Sequence, residues 1–93
     1  MIRTFRDKAT AAVFADRLPR GMSVELARMA RRKLVMIDRS VDVTDLRTPP
    51  GNRLEALGGD RTGQFSIRGN QQWRICFVWH DDDAFDVEIV DYH

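Results

Sequence analysis

The chain has little of several features that would restrict its chemistry and location. Its 93 residues include one cysteine, Cys76, and three prolines. A single thiol excludes an internal disulfide and a zinc site built from four cysteines of this chain. No apolar run approaches the roughly 20 residues of a membrane helix, and residues 1–6 lack the apolar core of a signal peptide. We therefore expect one domain, residues 1–93, in the reducing cytoplasm and away from membranes.

Acidic and basic residues are distributed unevenly along the chain. The net charge is +1, yet all fifteen lysines and arginines precede residue 80, together with eight of the fourteen acids. The other six acids lie in residues 80–93. A basic body with an acidic end can attract a polyanion on one side, and ordinary surface charge is an equally good interpretation.

Hydrophobic periodicity predicts a small α+β domain in which an N-terminal strand and a helix hairpin pack on an antiparallel sheet. The first strand covers residues 1–5. Asp7 caps a helix over residues 8–18, and Ser23 caps a second helix. A connector at residues 41–52 leads to four strands joined by hairpins, at residues 53–57, 64–68, 73–79 and 84–92. Gly69 and Asn70 are expected to form a tight turn because both tolerate positive φ.

Alternation along these strands sorts their side chains onto two faces. The apolar face, expected to pack beneath the helices, contains Leu54, Ala56, Phe65, Ile67, Trp73, Ile75, Phe77, Trp79, Phe85, Val87 and Ile89. The other face, expected to be open, contains Arg53, Glu55, Ser66, Arg68, Arg74, Cys76, Glu88, Val90 and Tyr92. With Arg61 at its edge, this face is either a lattice of salt bridges to Glu55 and Glu88 or a phosphate site.

The chain ends on three polar side chains, Asp91, Tyr92 and His93. Imidazole has the side-chain pKa nearest to neutral pH, so His93 is a candidate acid or base. A solvated tail that happens to contain a histidine is the competing interpretation. The acidic run at residues 80–83 is more typical of a solvated turn than of a metal site, because it lacks the spacing of a calcium loop.

Several segments carry a resemblance to a known family. They are residues 52–57 (NRLEAL), 59–63 (GDRTG), 65–68 (FSIR), 73–77 (WRICF) and 90–93 (VDYH). With the length and the order of elements, they resemble the HigB toxins of bacterial toxin–antitoxin systems, within the RelE/ParE superfamily. Residues 49–54 (PPGNRL) are further similar to a subgroup that includes the GraT toxins.

The resemblance implies a ribosome-dependent endoribonuclease that cuts messenger RNA in the A site without a metal or other cofactor. The ribose 2′-OH would attack the adjacent phosphate, leaving a 2′,3′-cyclic phosphate and a free 5′-OH. By position, Arg74 would stabilise the transition state and His93 would be the general acid or base. Asp91 and Tyr92 would orient His93 or touch the substrate. Glu55 is the candidate for the second proton transfer.

One departure from the family pattern concerns the turn before the second of the four strands. Relatives commonly have a lysine at the position of Gly58, and that lysine is thought to take part in catalysis. Arg61 would still bind backbone phosphate, and Arg53 or Arg68 would supply positive charge, but arginine hardly deprotonates and is a poor proton shuttle. The sequence therefore predicts a slower nuclease than a relative that has the lysine.

The resemblance also implies partners. They are a HigA-like antitoxin with a helix-turn-helix, the ribosome with its messenger RNA, and operator DNA contacted mainly through the antitoxin. The alternative is a toxin on the same scaffold that does not cleave and instead occupies its target, as ParE-like members do. Arginines and Lys33 in residues 28–33 either face ribosomal RNA or only keep the helix soluble.

Overall fold

A computed structural model describes residues 1–91, so Tyr92 and His93 lie outside the described residues. Two helices pack on a four-stranded antiparallel sheet, which confirms the predicted α+β class. The strands are adjacent in chain order: β1 (Glu55–Ala56), β2 (Gln64–Arg68), β3 (Trp73–His80) and β4 (Asp83–Asp91).

Both helices begin at the predicted caps. Helix α1 covers Lys8–Phe14, and a carboxylate oxygen of Asp7 accepts from the Thr10 N–H at 2.7 Å. The predicted extension to residue 18 is wrong, because Asp16 adopts φ 64°, which takes the chain out of helical geometry. Helix α2 covers Val24–Arg39, and the Ser23 hydroxyl accepts from the Leu26 N–H at 3.1 Å.

The predicted N-terminal strand is reduced to two isolated bridges. Ile2 pairs with Ala84 and Phe5 with Val87, both in parallel orientation, along the edge of β4 that β3 does not occupy. The Thr4 hydroxyl also accepts from the Asp86 N–H at 2.8 Å. This segment therefore satisfies backbone groups on what would otherwise be an exposed sheet edge.

Strand β4 contains a bulge that the sequence pattern did not reveal. Its register against β3 shifts between Cys76 and Val78, and Asp86 has φ 52°. Ala84 and Val87 are consequently both buried, although they are three residues apart. The assignment of Phe85 to the core face is therefore wrong; Ala84 takes that place and Phe85 is partly exposed.

The core lies between α2, the connector and the sheet. Most of the predicted apolar face is confirmed, with Ile67, Ile75 and Phe77 fully buried against Leu34 and Ile37 of α2. Ala56 is exposed instead of buried, because β1 is only two residues long and lies at the edge of the sheet. Among the described residues, none of the helices combines the length and apolar character that crossing a bilayer requires.

The connector is more structured than predicted. Two short 3-10 turns, Val43–Arg47 and Pro50–Asn52, bring it against α2. Leu46 and Asn52 are buried, and the side chain of Asn52 accepts from the ammonium of Lys33 at 2.6 Å. This contact fixes the chain just before it enters the sheet.

Candidate functional site

Arg74 is the central side chain of the candidate site. It lies on β3, and its residue is only 8% exposed. Its Nε donates to the hydroxyl of Ser66 on β2 at 2.9 Å, and its Nη2 donates to the backbone carbonyl of Arg53 at 3.0 Å. Contacts from two directions hold the guanidinium plane in one orientation, so its charge is preorganised.

Glu55 reaches the same guanidinium from the edge strand. Its Oε1 lies 3.6 Å from Arg74 Nη2, and the carboxylate is about half exposed, at 49%. Arg53 precedes it with an exposed side chain and a left-handed backbone, φ 45° and ψ 56°. The structure thus brings three predicted site residues together, although Arg53 contacts Arg74 through its carbonyl.

A second charged cluster lies beside the first. Arg61 is the last residue of a short 3-10 turn, Gly59–Arg61. Its Nη1 donates to Glu88 Oε1 at 2.8 Å and to Gln64 Oε1 at 3.0 Å. The other Glu88 oxygen lies 3.3 Å from Nε of Arg6, which precedes α1. The Glu88 side chain is only 13% exposed, and it holds the guanidiniums of Arg6 and Arg61 on this side of the sheet.

The face of the sheet that carries these charges is not open, contrary to expectation. Ser66 is fully buried and Cys76 is 1% exposed, because charged side chains and the chain around Arg53 cover their strands. Burial raises the pKa of the Cys76 thiol, with Arg61 and Glu88 acting on it in opposite directions. The thiol is therefore neutral at pH 7 and is not an activated nucleophile.

The remaining predicted residues lie around this centre. Arg68 is the cross-strand neighbour of Arg74, but its Nε donates to the Asn70 carbonyl at 3.0 Å in the adjacent turn. Asp91 is opposite Trp73, and its Oδ2 accepts from Gln72 Nε2 at 3.2 Å. Alternation therefore places Asp91 on the other side of the sheet from Arg74. The predicted roles of Tyr92 and His93 fall outside the described residues.

Gly58 occupies the position at which the resemblance implies a lysine. Its backbone is extended, with φ −118°, and its residue is exposed. A Cβ built there meets no atom within 4 Å. The local structure would therefore accept a longer side chain at this position, and the glycine is not required by packing.

Two groups that hold Arg74 were missed by sequence reasoning. The hydroxyl of Ser66 lies on the predicted face, and a small polar residue beside two arginines was a signal that could have identified it. The carbonyl of Arg53 had no such signal, because a backbone group is the same at every position. The pairing of Glu55 and Glu88 with arginines agrees with the salt-bridge interpretation of this face.

Comparisons with known proteins point to one family. The HigB-like toxin family, described as the RelE-like toxin of type II toxin-antitoxin system HigB, matches residues 3–93. The chain is similar to Toxin HigB-1 of Vibrio cholerae serotype O1, with 49% identity over 53 residues. That stretch covers 57% of this chain and only 56% of the Vibrio protein.

Two further comparisons extend over the full chain. Endoribonuclease HigB of Proteus vulgaris is 29% identical over 93 residues, with both proteins covered completely. The YoeB-YefM complex from Staphylococcus aureus contains a chain that superposes with a TM-score of 0.62 at 17% identity. This superposition covers 100% of the present chain and 98% of the other, and it shows a shared fold.

Proposed function

The chain belongs to the HigB-like family of RelE-like toxins from type II toxin–antitoxin systems, and from this premise we propose that it is an endoribonuclease. Its substrate would be messenger RNA in the ribosomal A site, in the cytoplasm, and cleavage would need no metal. The observation that carries the proposal is the fixed guanidinium of Arg74 on the central strand β3. The end-to-end similarity to a protein named Endoribonuclease HigB supports it.

In this proposal Arg74 acts on the phosphate. The substrate 2′-oxygen attacks the adjacent phosphorus, the bond from phosphorus to the 5′-oxygen breaks, and a 2′,3′-cyclic phosphate remains. Negative charge builds on the nonbridging oxygens as the new bond forms. A guanidinium already held by Ser66 and the Arg53 carbonyl can meet that charge without reorganising, which favours the transition state over the ground state.

Two proton transfers complete the proposed reaction. One group takes the proton of the 2′-OH and another gives a proton to the departing 5′-oxygen. We assign these tasks to His93 and Glu55, with Tyr92 orienting His93 or touching the substrate. Asp91 faces the other side of the sheet from Arg74, so its proposed task is limited to orienting His93. The exposure of Glu55 and its distance of 3.6 Å from Arg74 support a place beside the reacting phosphate.

Positive charge around the site supports binding of an RNA backbone. Arg53, Arg61 and Arg68 are proposed to contact substrate phosphates, and Arg6 adds a further guanidinium on the same side. Guanidiniums here outnumber the two carboxylates, Glu55 and Glu88, so the local potential is positive. Binding should therefore weaken as salt is raised.

We further propose that a HigA-like antitoxin with a helix-turn-helix silences the toxin and carries the complex to operator DNA. A groove of about 370 Å³ between α1 and α2 supports a protein partner. Leu18 and Val24 line it and are 55% and 46% exposed. Arginines rim the groove, and within residues 1–91 Arg28 and Arg32 have no carboxylate within salt-bridge distance. An acidic amphipathic segment would fit such a surface.

Charge reversal tests this surface. Arg28→Glu combined with Arg32→Glu should weaken binding of the antitoxin at least tenfold, because each change replaces an attractive charge by a repulsive one. Messenger cleavage should be unchanged. Intact antitoxin binding with lost activity on ribosomes would instead assign these arginines to ribosomal RNA.

A second candidate function follows from Gly58. Without an ammonium in the turn, the protein could occupy the A site or another target and arrest growth without cutting. Mapping messenger 5′ ends after induced expression separates the two functions. New ends within codons support the nuclease, and growth arrest with intact messengers supports the occupying toxin.

The direct test uses purified protein and programmed ribosomes. Wild type should cut messenger bound to programmed ribosomes and should leave the same RNA intact without ribosomes. Arg74→Lys should slow cutting about 10²–10³-fold, and Arg47→Lys, an exposed change in the connector, should leave the rate unchanged. Cleavage by Arg74→Lys at close to the wild-type rate would overturn the proposal.

A further inference from the structure

Asn52 is a fully buried polar residue whose amide joins helix α2 to the connector. Its Oδ1 accepts from Lys33 Nζ on α2 at 2.6 Å. Its Nδ2 donates to the carbonyls of Leu46 and Thr48 in the connector, at 3.1 and 3.4 Å. Every polar atom of this buried amide is therefore satisfied, which few other side chains could achieve in this space.

The residue that follows Asn52 contacts the candidate catalytic centre. Arg53 has a left-handed backbone, and its N–H donates to the Pro50 carbonyl at 3.1 Å. In this conformation its carbonyl accepts from Arg74 Nη2 at 3.0 Å. A left-handed conformation is unfavourable for a residue with a Cβ, so it persists only where neighbouring contacts hold it.

We propose that Lys33 and Asn52 are positioning residues that set the Arg53 carbonyl against Arg74 and thereby orient its guanidinium. The inference rests on the proposed nuclease function for its catalytic consequence. The line of contacts runs from α2 through the Lys33 ammonium and the Asn52 amide to the backbone of residue 53. The far end of that line is the Arg53 carbonyl, an acceptor of Arg74 that lies outside β1 and β2.

The chemistry of the pair argues against simple filling of the core. Burial lowers the pKa of Lys33, with the charge of Arg32 acting in the same direction. Desolvation of the Lys33 ammonium is unfavourable, so an apolar side chain of similar length would serve better if this position only filled space. A directional ammonium-to-amide bond instead fixes the rotation of Asn52, and with it the direction of the next peptide group.

The first measurement is hydrogen exchange at Nε of Arg74, followed by NMR and assigned by loss of the signal in Arg74→Lys. The Nε–H donates to Ser66 and is slow to exchange while the guanidinium is held. Asn52→Leu and Lys33→Met should each accelerate this exchange by about tenfold or more. Ser40→Ala is the matched control, because it removes another buried hydrogen bond, to the Met36 carbonyl, and leaves the bonds of Asn52 to Lys33, Leu46 and Thr48 in place.

The second measurement is single-turnover cleavage on ribosomes. Asn52→Leu should lower the rate constant by about 10–100-fold with little change in the substrate concentration at half saturation, because misplacement of Arg74 affects the transition state. In an Arg74→Ala background the same substitution should cause no further loss. Ser40→Ala should reduce thermal stability without either effect.

The results separate the possible failures. If Arg74 exchange in both Asn52→Leu and Lys33→Met matches Ser40→Ala, the pair is structural only and the inference is overturned. If Asn52→Leu does not fold, Lys33→Met decides by the same comparison. If exchange accelerates but wild type cuts no RNA, the orienting contact stands and the proposed nuclease function fails.

Discussion

Arg68 and Arg74 face each other across the β2–β3 ladder, yet their guanidinium groups are anchored in different places. Arg74 Nε donates to Ser66 at 2.9 Å, whereas Arg68 Nε donates to the Asn70 carbonyl at 3.0 Å. Like charges on opposed residues of a sheet repel. Separate anchors keep both arginines on the sheet, one held at the candidate centre and the other at its rim.

Lysine substitutions at these two positions should have different effects. Arg74→Lys keeps the charge but cannot reach Ser66 and the Arg53 carbonyl together, so cleavage should fall about 10²–10³-fold. Arg68→Lys should change the rate much less and act mainly on binding. Single-turnover assays at two salt concentrations distinguish these effects. Equal losses for the two variants would contradict a special role for Arg74.

Gly58→Lys should accelerate cleavage, because an ammonium in this turn would supply a transferable proton and positive charge. The site accepts the side chain without strain, so a gain of about tenfold or more is expected. Gly51→Lys is the control, since Gly51 is equally exposed and unobstructed but lies in the connector. An unchanged rate in Gly58→Lys, or the same gain in Gly51→Lys, would count against the prediction.

The fold could be predicted where local signals agreed with tertiary packing. The caps Asp7 and Ser23 and the periodicities of α2 and β3 sufficed for the elements. The bulge at Asp86 could not be predicted, because it depends on the Thr4 hydroxyl and on Ile2 and Phe5 pairing more than seventy residues away in sequence. Phe85 was misassigned for that reason.

The sequence predicted which side chains share the face of the candidate site. It did not predict the contacts that the backbone makes there. Alternation along β1 and β3 placed Glu55 and Arg74 on one face, and the structure puts their side chains 3.6 Å apart. The burial of that face could not be predicted, because alternation does not show which long side chains cover the strands. Arg61 and Glu88 do so above Cys76, and neither their direction nor the Arg53 carbonyl is encoded locally.

Gly69→Ala should destabilise the protein by about 1–3 kcal/mol through overpacking. Neither Gly69 nor Asn70 has positive φ, so the expected reason for a glycine is wrong. A Cβ at Gly69 would instead lie 2.5 Å from Met29 Sδ and 3.1 Å from the Trp73 carbonyl. Urea unfolding gives the loss, and Gly51→Ala serves as the unobstructed control. Equal midpoints for the two variants would refute this explanation.

Asp83 should make stability depend on acid pH. A hydrogen bond from Arg3 holds the pKa of Asp83 below its ordinary value, opposed by burial and aided by the N-terminal ammonium. This stabilisation is complete above the unfolded pKa of about 3.9 and is lost as pH falls through the lower folded value. Asp83→Asn should therefore lower the melting temperature at pH 7, and the deficit should shrink as the pH falls below about 3.9. Asp60→Asn, at an exposed position, is the control. If the melting temperature of Asp83→Asn is lowered equally at every pH, the prediction is wrong.

The bulge at Asp86 has a consequence for how the length of this chain can vary. Because two residues there occupy the space of one, loss of Asp86 would leave Glu88 and Ile89 on the sides they now face. Loss of a single residue farther along β4 would move every following side chain to the opposite face of the sheet. Side chains that now point away from the core would then point into it. Natural deletions in this strand should therefore occur mainly at Asp86, the position at which the strand can lose a residue without changing its pairing.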